Sequence, residues 1–155
     1  MTVIAVIDTN VWVSAYLNPV GFPARLVHAG MDGNFVIVSA LPLLDELHEV
    51  LLRPRVMQIR QSTATEVEAF VISVGAVVQL VPVSGELKLC RDPDDDIILE
   101  TAIRGNARYV VSRDEDMTRD LDLVNHLRDQ GIETITVQRF IDRLGLSGVE
   151  ATAGD

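Results

Sequence analysis

Short runs of β-branched apolar residues alternate along this chain with longer segments in which apolar positions recur every three or four residues. Val3 to Ile7 is wholly apolar and ends at Asp8, the pattern of a central strand buried on both faces. Similar runs at Phe35 to Val38, Val77 to Val81, Tyr109 to Val111 and Thr134 to Val137 predict four more strands. Between them the helical period predicts helices over Asn10 to Leu17, Ala24 to Met31, Leu41 to Leu52, Thr63 to Val74, Asp96 to Arg104, Thr118 to Gln130 and Gln138 to Leu144. Turn residues punctuate the pattern at Pro19, Gly21, Pro23, Asp32-Gly33-Asn34 and Gly105-Asn106. Ser39 is placed to cap the helix from Leu41, with Pro42 in its first turn, and Pro54 stops it. Ser84 to Leu89 reads as a connection.

Strands alternating with helices predict an α/β fold in which a mainly parallel sheet is covered on both faces. No repeat, low-complexity block or linker divides the chain. Its 155 residues, 48% of them hydrophobic, suffice for one core, so residues 1–146 are expected to form a single domain and 147–155 a frayed tail. No apolar run reaches the ~20 residues of a membrane span. The chain opens on TVIAVI rather than on a basic, then apolar leader, which predicts a soluble, cytoplasmic protein.

Charge narrows the function classes. A net charge of −10 argues against a nucleic-acid binder held by a broad basic surface, although a site that holds divalent metal offsets acid locally. Lys88 is the single lysine, so the basic residues are almost all arginine, which suits bidentate phosphate contacts. The lone Cys90 rules out an internal disulfide and a multi-cysteine zinc site, and reads as a small buried residue. His28, His48 and His126 lie far apart and form no ligand spacing, which disfavours zinc and leaves a hard cation bound by oxygen.

Acidic residues are then the candidate chemistry. Asp8 ends an apolar strand and projects toward the region where α/β sheets bind ligands; the alternative is a cap for the next helix, helped by Thr9 and Asn10. Glu46 has Leu43 and Val50 at i−3 and i+4, so it points inward, whereas Asp45 pairs with Glu49 on the outer face; a surface glutamate near Arg53 is the alternative. In Asp92-Pro93-Asp94-Asp95-Asp96, helix-dipole stabilisation accounts for one or two acids. Asp95 leads the apolar stripe Ile98, Leu99 and Ala102 and is the inward candidate, with Asp92 behind it. Asp96 is aligned with Glu100 and is expected to face solvent. Asp114 follows a second strand that ends in acid, with Asp116 two residues on and Ser112 placed to orient a carboxylate; a helix cap is again the alternative.

Converging carboxylates repel unless a cation lies between them. Mg2+ or Mn2+ suits an all-oxygen set, stabilises charge on a phosphodiester and activates water without a histidine or lysine base. If two ions bind, they are expected ~3.5–4 Å apart.

The ordered stretches VIDTNVWVSA, VIVSALPLLDELHEVLLRPRV, CRDPDDDIILETAI and YVVSRDEDM resemble the PIN-domain family of metal-dependent ribonucleases, and more narrowly the virulence-associated protein C-like PIN toxins of toxin–antitoxin pairs. The resemblance runs over roughly residues 3 to 140 and rests on the set, since each motif alone is weak. It implies a three-layer α/β/α sandwich, often dimeric. It gives the acidic positions of the family site to Asp8, Glu46, Asp95 and Asp114, with Asp116 as a further acid and Asn10 and Ser112 as supporting polar residues. Related sequences often have Asn where Asp96 stands, which leaves the choice of ligand between Asp95 and Asp96 open. The implied activity is Mg2+- or Mn2+-dependent endoribonuclease cleavage of RNA, silenced by an antitoxin.

Arg53, Arg55, Arg60 and Arg113 lie near these acids in sequence and are candidates for RNA phosphates, although Arg53-Pro-Arg55 equally suits a helix end. Two rival enzyme classes fit less well. A phosphorylation switch of the receiver type needs a late lysine, and Lys88 precedes the acidic turn; a haloacid dehalogenase-type phosphatase needs a second aspartate where Asn10 stands. A non-catalytic protein that only binds RNA or an antitoxin is the remaining alternative.

Overall fold

The computed structural model describes residues 2–113 and 121–145. The expected segments 114–120 and 147–155, including Asp114, Asp116 and the tail, lie outside the described residues. In chain order the elements are β1 (Ile4–Ile7), α1 (Thr9–Leu17), α2 (Phe22–Met31), β2 (Val36–Ser39), α3 (Leu41–Leu51), α4 (Pro54–Arg60), α5 (Ala64–Val77), β3 (Gln79–Leu80), α6 (Pro93–Arg104), β4 (Tyr109–Ser112), α7 (Leu121–Asp129), β5 (Glu133–Thr136) and α8 (Val137–Arg143). The five strands form one sheet in the order β3-β2-β1-β4-β5, and every neighbouring pair is parallel.

Side-chain alternation along the strands splits the interior into two layers. Ala5, Ile7, Ile37, Tyr109, Val111 and Ile135 face one core with Trp12, Leu26, Val67, Val74 and Phe140, from α1, α2, α5 and α8. Val6, Val38 and Val110 face the other with Leu99 and Ala102 of α6 and Leu123 and Leu127 of α7. Helix α3 contributes to both, through Leu44, Leu47 and Leu51 on one side and Leu43 on the other. The result is the expected three-layer α/β/α sandwich. Among the described residues no helix is long and apolar enough to cross a membrane.

Crossovers are closed by predictable devices. Helix α6 ends in a Schellman turn: Ala107 N–H bonds Ala102 C=O at 2.9 Å and Asn106, at φ 55°, bonds Ile103 C=O at 3.2 Å. Gly105 permits a close approach, since a Cβ there would lie 2.8 Å from Val38 Cγ2. Thr63 and Glu66 form a reciprocal capping box at the start of α5.

Some expectations give way to tertiary context. Ser39 is not the cap of α3; it stays in β2, where its carbonyl accepts Val81 N–H at 2.9 Å, and Ala40 takes the N-cap position. Pro54 opens α4 as its first residue as well as closing the preceding turn. The strand expected at Val77 to Val81 shrinks to Gln79–Leu80, because Val77 remains in α5 and β3 is a solvent-facing edge. Helix α6 begins at Pro93 rather than Asp96, and β5 ends at Thr136, whose hydroxyl accepts Arg139 N–H at 3.3 Å and caps α8.

Candidate functional site

In the order β3-β2-β1-β4-β5 the connections leave β1 to one side and reach β4 on the other, so a crevice opens beyond the carboxyl ends of β1 and β4. Asp8 follows β1 and Ser112 ends β4. The register pairs Ile7 with Val111, and Asp8 N–H continues the ladder to Val111 C=O at 2.9 Å, which sets Asp8 beside Ser112. The Ser112 hydroxyl donates to Asp8 Oδ2 at 3.2 Å. Asp8 and Ser112 lie two residues beyond Val6 and Val110, so both point to the side covered by α6 and α7.

Two helices bring further acid to the same place. Helix α3 leaves β2 directly, and half-buried Glu46 reaches back over the sheet edge, where its Oε2 accepts the buried Thr9 hydroxyl at 2.9 Å. Helix α6 contributes Asp92, Asp94 and Asp95 from its first turn, with Asp95 only 5% exposed. Together Asp8, Asn10, Glu46, Asp92, Asp94, Asp95 and Ser112 line a cleft of about 240 Å3, whose apolar wall includes Ile98, Leu123 and Leu127. Thr134 also lines it, its hydroxyl buried and without a hydrogen-bond partner among the described residues.

Of the residues singled out in the sequence, Asp8, Asn10, Glu46, Asp92, Asp95 and Ser112 therefore meet in one cleft. Asp92 is at the same time the N-cap of α6, its carboxylate accepting Asp94 N–H at 2.9 Å. Asp8 occupies the N-cap position of α1 but makes no side-chain cap bond. Asp94, Thr9 and Thr134 were not singled out. Asp94 is legible only as part of the acidic run, Thr9 meets Glu46 only through the fold, and Thr134 reaches the cleft only because β5 pairs with β4.

Asp96 corrects the expectation of a solvent-facing side chain. It is buried, and its Oδ1 accepts Leu89 N–H at 2.9 Å and Cys90 N–H at 2.7 Å. The Cys90 amide, foremost, holds its pKa below the ordinary 3.8 against the opposing effect of burial. Glu100, one turn on, is likewise buried and accepts from Ser84 N–H at 2.7 Å, Gly85 N–H at 3.1 Å and Arg104 Nε at 2.6 Å. The Ser84 amide leads the contacts that lower its pKa below 4.5. Both carboxylates are thus committed to tying down the connection before α6, and of the pair Asp95 and Asp96 it is Asp95 that lines the cleft.

The arginines divide as well. Arg53 lines a groove that shares Glu46 and Asp94 with the cleft, beside Asp45 and Glu49. Arg55 and Arg113 are exposed. Arg60 is committed elsewhere, donating to Tyr16 C=O at 2.8 Å with its guanidinium 4.2 Å from the Tyr16 ring centroid, so it does not serve the cleft.

Among the described residues, the donors facing the cleft are carboxylate, amide and hydroxyl oxygens, with neither thiol nor imidazole on the lining. Such a set fits a hard divalent cation such as Mg2+ or Mn2+ and does not fit a soft one. The chain is 24% identical over 139 residues to the uncharacterized protein MJ1680 of Methanocaldococcus jannaschii, with 88% of each chain covered. Residues 4–116, which carry β1 through β4 and all the cleft acids described above, match the PIN domain, and the chain belongs to this family of generally metal-dependent nucleases.

Proposed function

We propose that this protein is an Mg2+- or Mn2+-dependent endoribonuclease that hydrolyses RNA phosphodiester bonds, and that it is the toxin of a toxin–antitoxin pair of the virulence-associated protein C-like type. The observation that carries the nuclease reading is the convergence of Asp8, Glu46, Asp92, Asp94 and Asp95 on one cleft at the strand-order switch point of a PIN domain. The narrower toxin reading draws on the ordered acidic motifs.

In this reading Asp8, Glu46, Asp95 and Asp114 form the catalytic acid set, with Asp8, Asp95, Asp114 and Asp116 holding the cation and Asn10, Asp92 and Ser112 supporting them. When bound, the cation supplies charge neutralisation at the phosphate and lowers the pKa of water. The protein's own part is positioning. Ser112 orients the Asp8 carboxylate and Thr9 that of Glu46. Arg53 in the adjoining groove, with Arg55 and Arg113 on the surface, meets the flanking phosphates. Leu123 and Leu127 give the cleft an apolar wall that limits its water. An antitoxin segment that covers this cleft, a homodimer, a single domain over residues 1–146 and a cytoplasmic location complete the proposal.

The test is cleavage of a mixed-sequence single-stranded RNA with Mg2+ or Mn2+ against EDTA, alongside Asp8→Asn. Cutting that needs the metal and is lost in the variant supports the nuclease and its site. Folded protein that neither cuts nor binds Mn2+ by calorimetry overturns it in favour of a non-catalytic RNA- or antitoxin-binding protein.

A further inference from the structure

Cys90, Asp122 and His126 meet where the connection before α6 is bonded to α7. Cys90 lies three residues before the start of α6, in the connection that leads into it, whereas Asp122 and His126 sit one turn apart on α7. One ligand atom from each lies within 4.8 Å of the other two. His126 Nε2 is 3.5 Å from Asp122 Oδ1, and Asp122 Oδ2 accepts Arg91 N–H at 2.8 Å, so the connection is already bonded to α7 at this point. None of the three lines the oxygen-rich cleft.

From this geometry we propose a second metal site, distinct in chemistry from the cleft, in which Cys90, Asp122 and His126 bind Zn2+ or a similar borderline cation and clip the connection before α6 to α7. A thiolate, an imidazole and a carboxylate form a mixed S, N, O set that selects Zn2+ over Mg2+. Zn2+ bonds of about 2.0–2.3 Å put tetrahedral ligands roughly 3.3–3.8 Å apart, so the three atoms need only a small inward closure. Three protein ligands leave the fourth position to water. Binding replaces the Cys90 S–H bond by a sulfur–metal bond and releases the proton to solvent.

The clip has a structural consequence. It joins the segment just before Asp92, Asp94 and Asp95 to the helix that supplies Leu123 and Leu127, so it stiffens two walls of the cleft. It makes no demand on RNA cleavage, and its test reads metal binding directly.

The experiment is titration of the whole protein with Zn2+, and separately Co2+, in excess Mg2+ to fill the oxygen-rich cleft. The expected results are a single calorimetric equivalent of Zn2+, a near-ultraviolet thiolate-to-Co2+ charge-transfer band that Zn2+ displaces, and a raised Tm. Cys90→Ser should remove the band, and His126→Ala should weaken Zn2+ binding by about 10-fold or more. Circular dichroism and the metal-free Tm verify that each variant folds; should Cys90→Ser not fold, His126→Ala decides alone. Absence of the band at saturating Co2+, or Zn2+ binding unchanged by loss of His126, overturns the site.

Discussion

The Ser112 hydroxyl bonds Asp8 Oδ2 at 3.2 Å across 104 positions of sequence, at the seam where β1 meets β4. The bond fixes one oxygen of Asp8 and so orients the other. Ser112→Ala is expected to lower both Mn2+ affinity and RNA cleavage by about 10–100-fold, the usual cost of losing a partner that orients a ligand. Parallel calorimetry and cleavage rates check it; unchanged values would mean that Asp8 needs no such support.

Asp8→Asn and Asp95→Asn each remove the charge of one carboxylate lining the cleft. Each should reduce cleavage by more than about 100-fold, beyond the effect of an orienting partner, while Tm stays close to wild type or rises as repulsion among the acids falls. Retained activity in both variants would defeat the site assignment.

Thr9 holds Glu46 in the same manner, at 2.9 Å. Thr9→Val keeps the shape and removes the donor, leaving Glu46 free to turn toward solvent. Cleavage is expected to fall about 10-fold, with a smaller change in stability. Thr9→Ser, which retains the hydroxyl, should restore most of the rate, and that rescue separates orientation from packing.

Glu100 predicts a pH signature. Its folded pKa lies below the ordinary 4.5, so its stabilising effect is complete above that value and is lost as pH falls through the folded pKa. Glu100→Gln exchanges an acceptor of Ser84, Gly85 and Arg104 for a half-donor, at a cost of about 1–3 kcal/mol near neutrality. Urea unfolding should show a wide gap between the variant and wild type at neutral pH that narrows on acidification. A gap independent of pH would contradict the linkage.

Gly105 lets α6 settle against β2. A Cβ at this position would lie 2.8 Å from Val38 Cγ2 and 3.0 Å from both Thr101 O and Val38 Cβ, and the last two cannot rotate away. Gly105→Ala should therefore destabilise the fold by about 1–3 kcal/mol, read as a lowered Tm. Because α6 carries Asp95, cleavage should fall as well.

The fold class was legible because strand and helix periods are local: β-branched runs such as Val3 to Ile7 and turn residues such as Gly105-Asn106 report backbone geometry directly. Helical spacing also separated Glu46 from Asp45 correctly. The same argument failed for Asp96. Its spacing from the apolar stripe says where it points around α6, but not that the connection before α6 folds back and covers it with the amides of Leu89 and Cys90.

By itself the sequence determined the alternation of strands and helices, the apolar stripes and the supply of acid at strand ends, since these depend on residues a few positions apart. Tertiary structure alone decided which groups meet: Ser112 with Asp8, Thr9 with Glu46, and Cys90 with Asp122 and His126. Those pairings follow from strand order, register and the crossings of α3, α6 and α7. They bring together residues that are distant along the chain, and no local period encodes that distance.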